Sequence, residues 1–167
     1  MSKLAGLVLA AALLTAGPAW AGWEKLEWGM TPEQAAAAMP DVAKLDKGGR
    51  DDELDGAVMG NKGPYAFAGK DLIAAFYYDD RGLGQVKIWK SGMTDCKSLL
   101  TALTKQYGQP LRAENQSILG LFVWHDARTQ ARVSLVASQG VLCSLDYYRL
   151  SDYEAIDRKK AVRSSHQ

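Results

Sequence analysis

The sequence predicts an α+β fold: a single antiparallel sheet of about six strands, built from two α-βββ units, with both helices on one face. Three observations carry this. One is the clean amphipathic stripe of a helix near residue 100. Another is a set of alternating apolar and polar runs separated by turn residues on either side of it. The last is an internal echo, in which Gly29-Met30-Thr31 and Gly92-Met93-Thr94 each precede a helix and each helix precedes about three strands. Antiparallel strands joined by short turns, with helices gathered on one face, satisfy that order of elements.

The first helix is expected at Thr31-Pro32-Glu33-Gln34, where Thr31 is a good N-cap, Pro32 suits the first helical position and Gln34 completes a capping box. Ala35 to Ala38 favour helix by propensity, and Pro40 ends it. Residues 41–63 contain five glycines and many charges without periodicity, which reads as a long loop with one short strand near Val58. Strands are expected at 64–68, 72–79 and 84–90, with Gly69-Lys70 and Asp80-Arg81-Gly82 as turns. The second helix begins at Thr94. Its Cys96, Leu99, Leu100, Leu103 and Tyr107 share one face, and Gly108 and Pro110 close it. Strands follow at 117–125, 130–137 and 141–149, then a short helix over 151–162 and a flexible tail to Gln167. The run at 118–125 is apolar on both sides, which predicts a central strand with a partly covered outer face.

The first 21 residues read differently from the rest. Lys3 precedes the apolar run Leu4–Ala16, Gly17-Pro18 breaks it, and Ala19-Trp20-Ala21 is a small-x-small cleavage site. This is the pattern of a secretory signal, too short for a membrane span. Removing 21 of 167 residues leaves 146, enough for one domain, expected over 22–150 with 151–167 appended. Lys3 is the only charge in the leader, so 19 basic residues face 19 acidic ones afterwards. A neutral balance supplies no general attraction to nucleic acid or anionic lipid. The expected product is periplasmic or secreted, with no membrane span after cleavage.

Catalytic and cofactor motifs are missing from the text of the chain. No HExxH, CxxC, GxSxG or phosphate-loop pattern occurs, and the two histidines, His125 and His166, are far apart, so no metal or cofactor is expected. His125 and Asp126 are neighbours on a strand and point to opposite faces, which prevents a dyad. The aromatic residues Trp23, Trp28, Trp89, Trp124, Tyr65, Tyr77, Tyr78, Tyr147 and Tyr148 could line a binding surface but, as a set, read as cross-strand pairs and core edges, with Trp28 a cover anchoring the chain before the first helix. Tyr77, Trp89 and His125 fall on the side away from the helices and form the candidate binding surface.

Cys96 and Cys143 are the only cysteines. One lies on the apolar stripe of the second helix and the other on the apolar side of the last strand. Burying the core brings those two surfaces together, and an oxidising compartment favours the bond, so a Cys96–Cys143 disulfide is expected.

The segment Leu26-Glu27-Trp28-Gly29-Met30-Thr31-Pro32-Glu33-Gln34 resembles the W-G-M-[ST]-x-E-E/Q start of small exported bacterial proteins of unknown function. Phe76-Tyr77-Tyr78-Asp79-Asp80-Arg81-Gly82-Leu83-Gly84-Gln85-Val86 is similar to their strand-turn-strand continuation, and Leu103–Pro110 to their helix end. In size, export and order of elements the chain also resembles the BamE-like and beta-lactamase-inhibitory-protein-like modules, which bind other proteins through a sheet. These motifs are structural and specify no activity. Export, the neutral charge, the missing catalytic motifs and the outward aromatics point to a non-catalytic envelope module that binds a protein or peptide through its exposed sheet face or edge. The alternative is a small-ligand carrier or hydrolase, with a pocket near His125 and the 41–63 loop.

Overall fold

The structure, a computed structural model, describes residues 21–46, 53–54, 56–92, 96–116, 119–138 and 141–154. The leader up to residue 20 and the tail beyond 154 lie outside the described residues, as do Met93 and Thr94 of the second motif copy. The chain opens with a two-stranded hairpin, β1 (Gly22–Trp23) and β2 (Leu26–Glu27), followed by α1 (Pro32–Ala38). Then come β3 (Glu53–Leu54), β4 (Ala57–Phe67), β5 (Lys70–Asp79) and β6 (Gly82–Trp89). The second half runs α2 (Lys97–Tyr107), β7 (Arg112–Gln116), β8 (Leu119–Asp126), β9 (Ala131–Ser138) and β10 (Leu142–Arg149). A third helix starts at Leu150 and is described to Glu154. No helix among the described residues is long and apolar enough to cross a membrane.

The α+β class holds, and the strand count is corrected from about six to eight in the main sheet. The strand order is β3-β4-β5-β6-β10-β9-β8-β7, antiparallel throughout. Each half is a helix followed by four strands, and the halves join through their last strands, with Leu145 opposite Ile88 and Tyr147 opposite Val86. β7 was illegible because Arg-Ala-Glu-Asn-Gln has no apolar alternation; it is an edge strand, where polar residues are favoured.

The expected 41–63 loop is corrected as well, since its last seven residues belong to β4. Glycine and lysine conceal that strand because of what crosses it. A Cβ on Gly63 would stand 2.0 Å from the Val42 carbonyl oxygen, so only glycine lets the chain after α1 pass over the strand. The buried Asn61 fastens that crossing: its Nδ2 donates to the Pro32 carbonyl at 3.0 Å and the Ala43 carbonyl at 2.7 Å, while the Tyr78 hydroxyl donates to its Oδ1.

α1 forms with the expected cap. Thr31 Oγ1 accepts from the Gln34 N–H at 3.3 Å, and Gln34 Oε1 accepts from the Thr31 N–H at 2.8 Å. In α2, Leu99 and Leu103 are fully buried and Cys96, Leu100 and Tyr107 half-buried, which is the expected stripe. One core holds Ala35 of α1, Leu99 and Leu103 of α2, and Phe76, Ile88, Trp124, Leu135 and Leu145 of the sheet, so both helices pack on the same face. Full burial of each large apolar side chain contributes roughly 1.5–3 kcal/mol. Trp124 keeps its indole N–H satisfied by donating to the Gly108 carbonyl at 2.9 Å, just beyond α2.

The disulfide is present. Cys96 at the N-cap of α2 is bonded to the fully buried Cys143 of β10, with Cα atoms 5.5 Å apart.

The two motif segments prove to be one structural unit. Gly29 N–H donates to the Leu83 carbonyl at 2.9 Å, and Leu83 N–H donates to the Met30 carbonyl at 2.9 Å. Gly82, at φ +85°, lies so close that a Cβ there would be 2.2 Å from the Gly29 oxygen. Trp28 packs on the core and donates its indole N–H to the Thr129 carbonyl at 2.9 Å, anchoring the entering chain to the β8–β9 turn. An ion-pair network closes the same seam. Arg149 reaches Asp79 at 2.6 Å and Asp152 at 3.0 Å, while Arg81 reaches both carboxylates at 2.9 Å. Partial burial pushes the Asp79 carboxyl up, but the Arg81 N–H and guanidinium, with Arg149, outweigh it and hold it below the usual range.

Candidate functional site

Alternation along the strands leaves one face of the sheet pointing away from α1 and α2. Tyr77, Trp89 and His125 all belong to it, since their neighbours Phe76, Ile88 and Trp124 are in the core. The structure does not bring the three together. Tyr77 and His125 share a cross-strand row, but Gln85, Tyr148 and Arg132 stand between them. Four strand spacings make that separation about 19 Å. Tyr77 is only 8% exposed, packed with Met59 and Ala75, and Trp89 lies against that cluster under the Lys62 ammonium, 5.8 Å from its ring centroid. The middle of the row is capped by Tyr153 of the third helix, whose ring lies 4.8 Å from Tyr148 and 3.6 Å from the Arg132 guanidinium carbon. The expected contiguous patch is therefore replaced by a different one.

Beyond the charged row next to that of Tyr77 and His125, this face is largely apolar. Leu121, Val136, Ser144, Trp89 and Ile73 follow one another across β8, β9, β10, β6 and β5. Leu119 and Leu142 both flank Ser138 in the row beyond, and they are 47% and 37% exposed. The row on the other side carries Arg112, Lys87 and Lys62, along with Asp146, which is buried and accepts from Ser144 Oγ at 2.8 Å and Gln85 Nε2 at 3.3 Å. The two-sided apolar character of residues 118–125 was the sequence signal for this surface. Sequence reasoning missed its cross-strand continuation through Val136 and Leu142 because register decides which residues become neighbours.

On the helix face, at the end of the sheet near the opening hairpin, lies a pocket of about 490 Å³. The expected alternative placed a pocket at His125 and residues 41–63. Neither lines this one, which is bounded by Trp23, Glu24, Tyr65, Tyr107, Asp126, Arg128 and Tyr147 among others. Its walls come from β1, β4, the end of α2, the β8–β9 turn and β10, segments scattered over the whole chain. His125 and Asp126 part as alternation requires: His125 is exposed on the opposite face, while Asp126, 7% exposed, turns toward the pocket.

The polar groups of this pocket are ordered. The Tyr65 hydroxyl donates to Glu24 Oε1 at 2.7 Å. The Tyr107 hydroxyl accepts from Gln106 Nε2 at 3.0 Å and is also hydrogen-bonded to Tyr147. Asp126 Oδ1 accepts from Arg128 N at 3.0 Å and Nε at 3.3 Å. Trp23 and Tyr65 form an aromatic corner, with centroids 4.9 Å apart and planes at 56°. Burial raises the pKa of Tyr65, Tyr107 and Tyr147, with the nearby Glu24 charge adding to it, so all three remain O–H groups at neutral pH.

No protein-family model and no curated protein matches this chain. A solved structure that resembles it is that of a DUF4309 family protein (YjgB) from Bacillus subtilis subsp. subtilis str. 168, with 13% identity, 71% of this chain and 77% of that chain covered, and a TM-score of 0.38. At that score the likeness is too loose to carry an argument about fold or function.

Proposed function

We propose that this chain is an exported, non-catalytic envelope module that binds an acidic segment of another protein across its open sheet face. The observation that carries the reading is the row Leu121–Val136–Ser144–Trp89–Ile73, apolar but for the buried Ser144, extended by Leu119 and Leu142 and bordered by Lys87 and Lys62, with Arg112 paired to Glu114 at the β7 edge. An aromatic and aliphatic strip with a cationic border suits a partner that combines apolar side chains with carboxylates. The disulfide supports export, because such bonds persist in oxidising compartments.

A photo-crosslinking residue placed at Leu121, or as a control at the exposed Ala37 of α1, tests this in native envelopes. The reading expects a discrete crosslinked partner from position 121 and none from 37, with capture reduced about tenfold or more by Lys62→Glu with Lys87→Glu. Equal capture from both positions, or capture indifferent to charge reversal, would overturn it.

A further inference from the structure

The pocket on the helix face is a second site, independent of the open sheet face. We propose that it binds a neutral, hydroxyl-rich ligand, a carbohydrate of one or two pyranose rings held between the Trp23–Tyr65 corner and the polar groups of Tyr107, Glu24 and Asp126. Its volume, about 490 Å³, lies within the roughly 300–1,000 Å³ of small-molecule sites.

The unused hydrogen-bonding capacity of the walls defines the ligand. Asp126 is 93% buried, yet only its Oδ1 is engaged, by Arg128; Oδ2 has no partner among the described residues. Glu24 is engaged through Oε1 by Tyr65, which leaves Oε2 to accept. Tyr107 accepts from Gln106 and shares a hydrogen bond with Tyr147; that bond uses one of the two hydroxyl protons of the pair and leaves the other to donate. The pocket thus offers two acceptors and a donor around aromatic faces. That matches a molecule whose hydroxyls both donate and accept and whose C–H faces are apolar.

The other ligand classes fit less well. An anion meets two carboxylates, Glu24 and Asp126. A wholly apolar ligand would strand Asp126 Oδ2 and the spare proton of the Tyr107–Tyr147 pair at a cost of desolvation. A cation meets the Arg128 guanidinium, which already offsets Asp126 at 3.3 Å. No group of three or more His, Cys, Asp or Glu suited to a metal occurs among the described residues.

The test is ligand-observed NMR with titration calorimetry on the oxidised protein, using N,N′-diacetylchitobiose, maltose and cellobiose as sugar probes. Choline and inorganic phosphate serve as the cationic and anionic probes. The expected result is saturable binding of at least one sugar with Kd near or below about 1 mM. Tyr107→Phe and Glu24→Gln should each weaken it about tenfold while the thermal midpoint stays close to that of the parent. Arg128→Ala, at a side chain 78% exposed, is a second variant whose folding is not at risk; loss of the guanidinium that offsets Asp126 should shift preference toward choline. Lys62→Glu with Lys87→Glu should leave sugar binding unchanged, which separates this site from the sheet face. The proposal is overturned if no sugar saturates by about 10 mM. It is equally overturned if choline or phosphate binds the parent more tightly than every sugar, or if Tyr107→Phe and Glu24→Gln bind as the parent does.

Discussion

Reducing the Cys96–Cys143 bond isolates the cross-link without changing an atom of the core's hydrocarbon. The two cysteines are 47 positions apart in sequence, and the bond ties the N-terminus of α2 to the middle of the sheet at β10. The chain-entropy relation gives a loss of about 14 cal/mol/K for a loop of that length, or about 4 kcal/mol at room temperature. For a domain of this size that corresponds to a fall in melting temperature of roughly 8–16 °C. Urea denaturation of the oxidised protein, and of the same protein held in a phosphine reductant, measures the difference. Thiol titration of unfolded, unreduced protein establishes the starting state, with none free expected. Two titratable thiols would refute the bond. A stability difference under about 1 kcal/mol would refute the loop-closure account, and would mean that the unfolded chain keeps α2 near β10 without the link.

Two further predictions concern the seam between the β5–β6 turn and its neighbours. The Asp79 carboxyl is held below the usual range in the folded protein, so its contribution is present above the unfolded value of about 3.9 and is lost as pH falls through the folded one. Asp79→Asn should therefore cost about 1–2 kcal/mol near pH 7, and the gap from the parent in urea midpoint should narrow below about pH 4; a gap independent of pH would contradict the ion-pair account. Gly82→Ala should cost at least about 2 kcal/mol, because a Cβ at φ +85° would press on the Gly29 carbonyl at 2.2 Å; a melting curve equal to the parent's would show that the turn can move aside.

Much of the local structure follows from the chain itself. The Thr31–Gln34 capping box is complete within four residues, and the stripe from Cys96 to Tyr107 needs only the helical period. Alternation in β9 and β10 determines which side chains reach the core, and with it the meeting of Cys96 and Cys143. The W-G-M and D-R-G-L segments are visible as motifs, but only contact explains them, through the paired hydrogen bonds between Gly29, Met30 and Leu83.

Features set by partners distant in sequence were not legible. β4 reads as loop because Gly63 answers to Val42, and β7 reads as polar chain because it is an edge. Tyr77 and His125 share a face by alternation, but the strand order puts three strands and Tyr153 between them. The pocket collects Glu24, Tyr65, Tyr107 and Asp126 from four separate segments of the chain. Local periodicity fixes the side to which a residue points, whereas its neighbours on that side depend on strand order and register. Those are settled only when the two halves close on each other through β6 and β10.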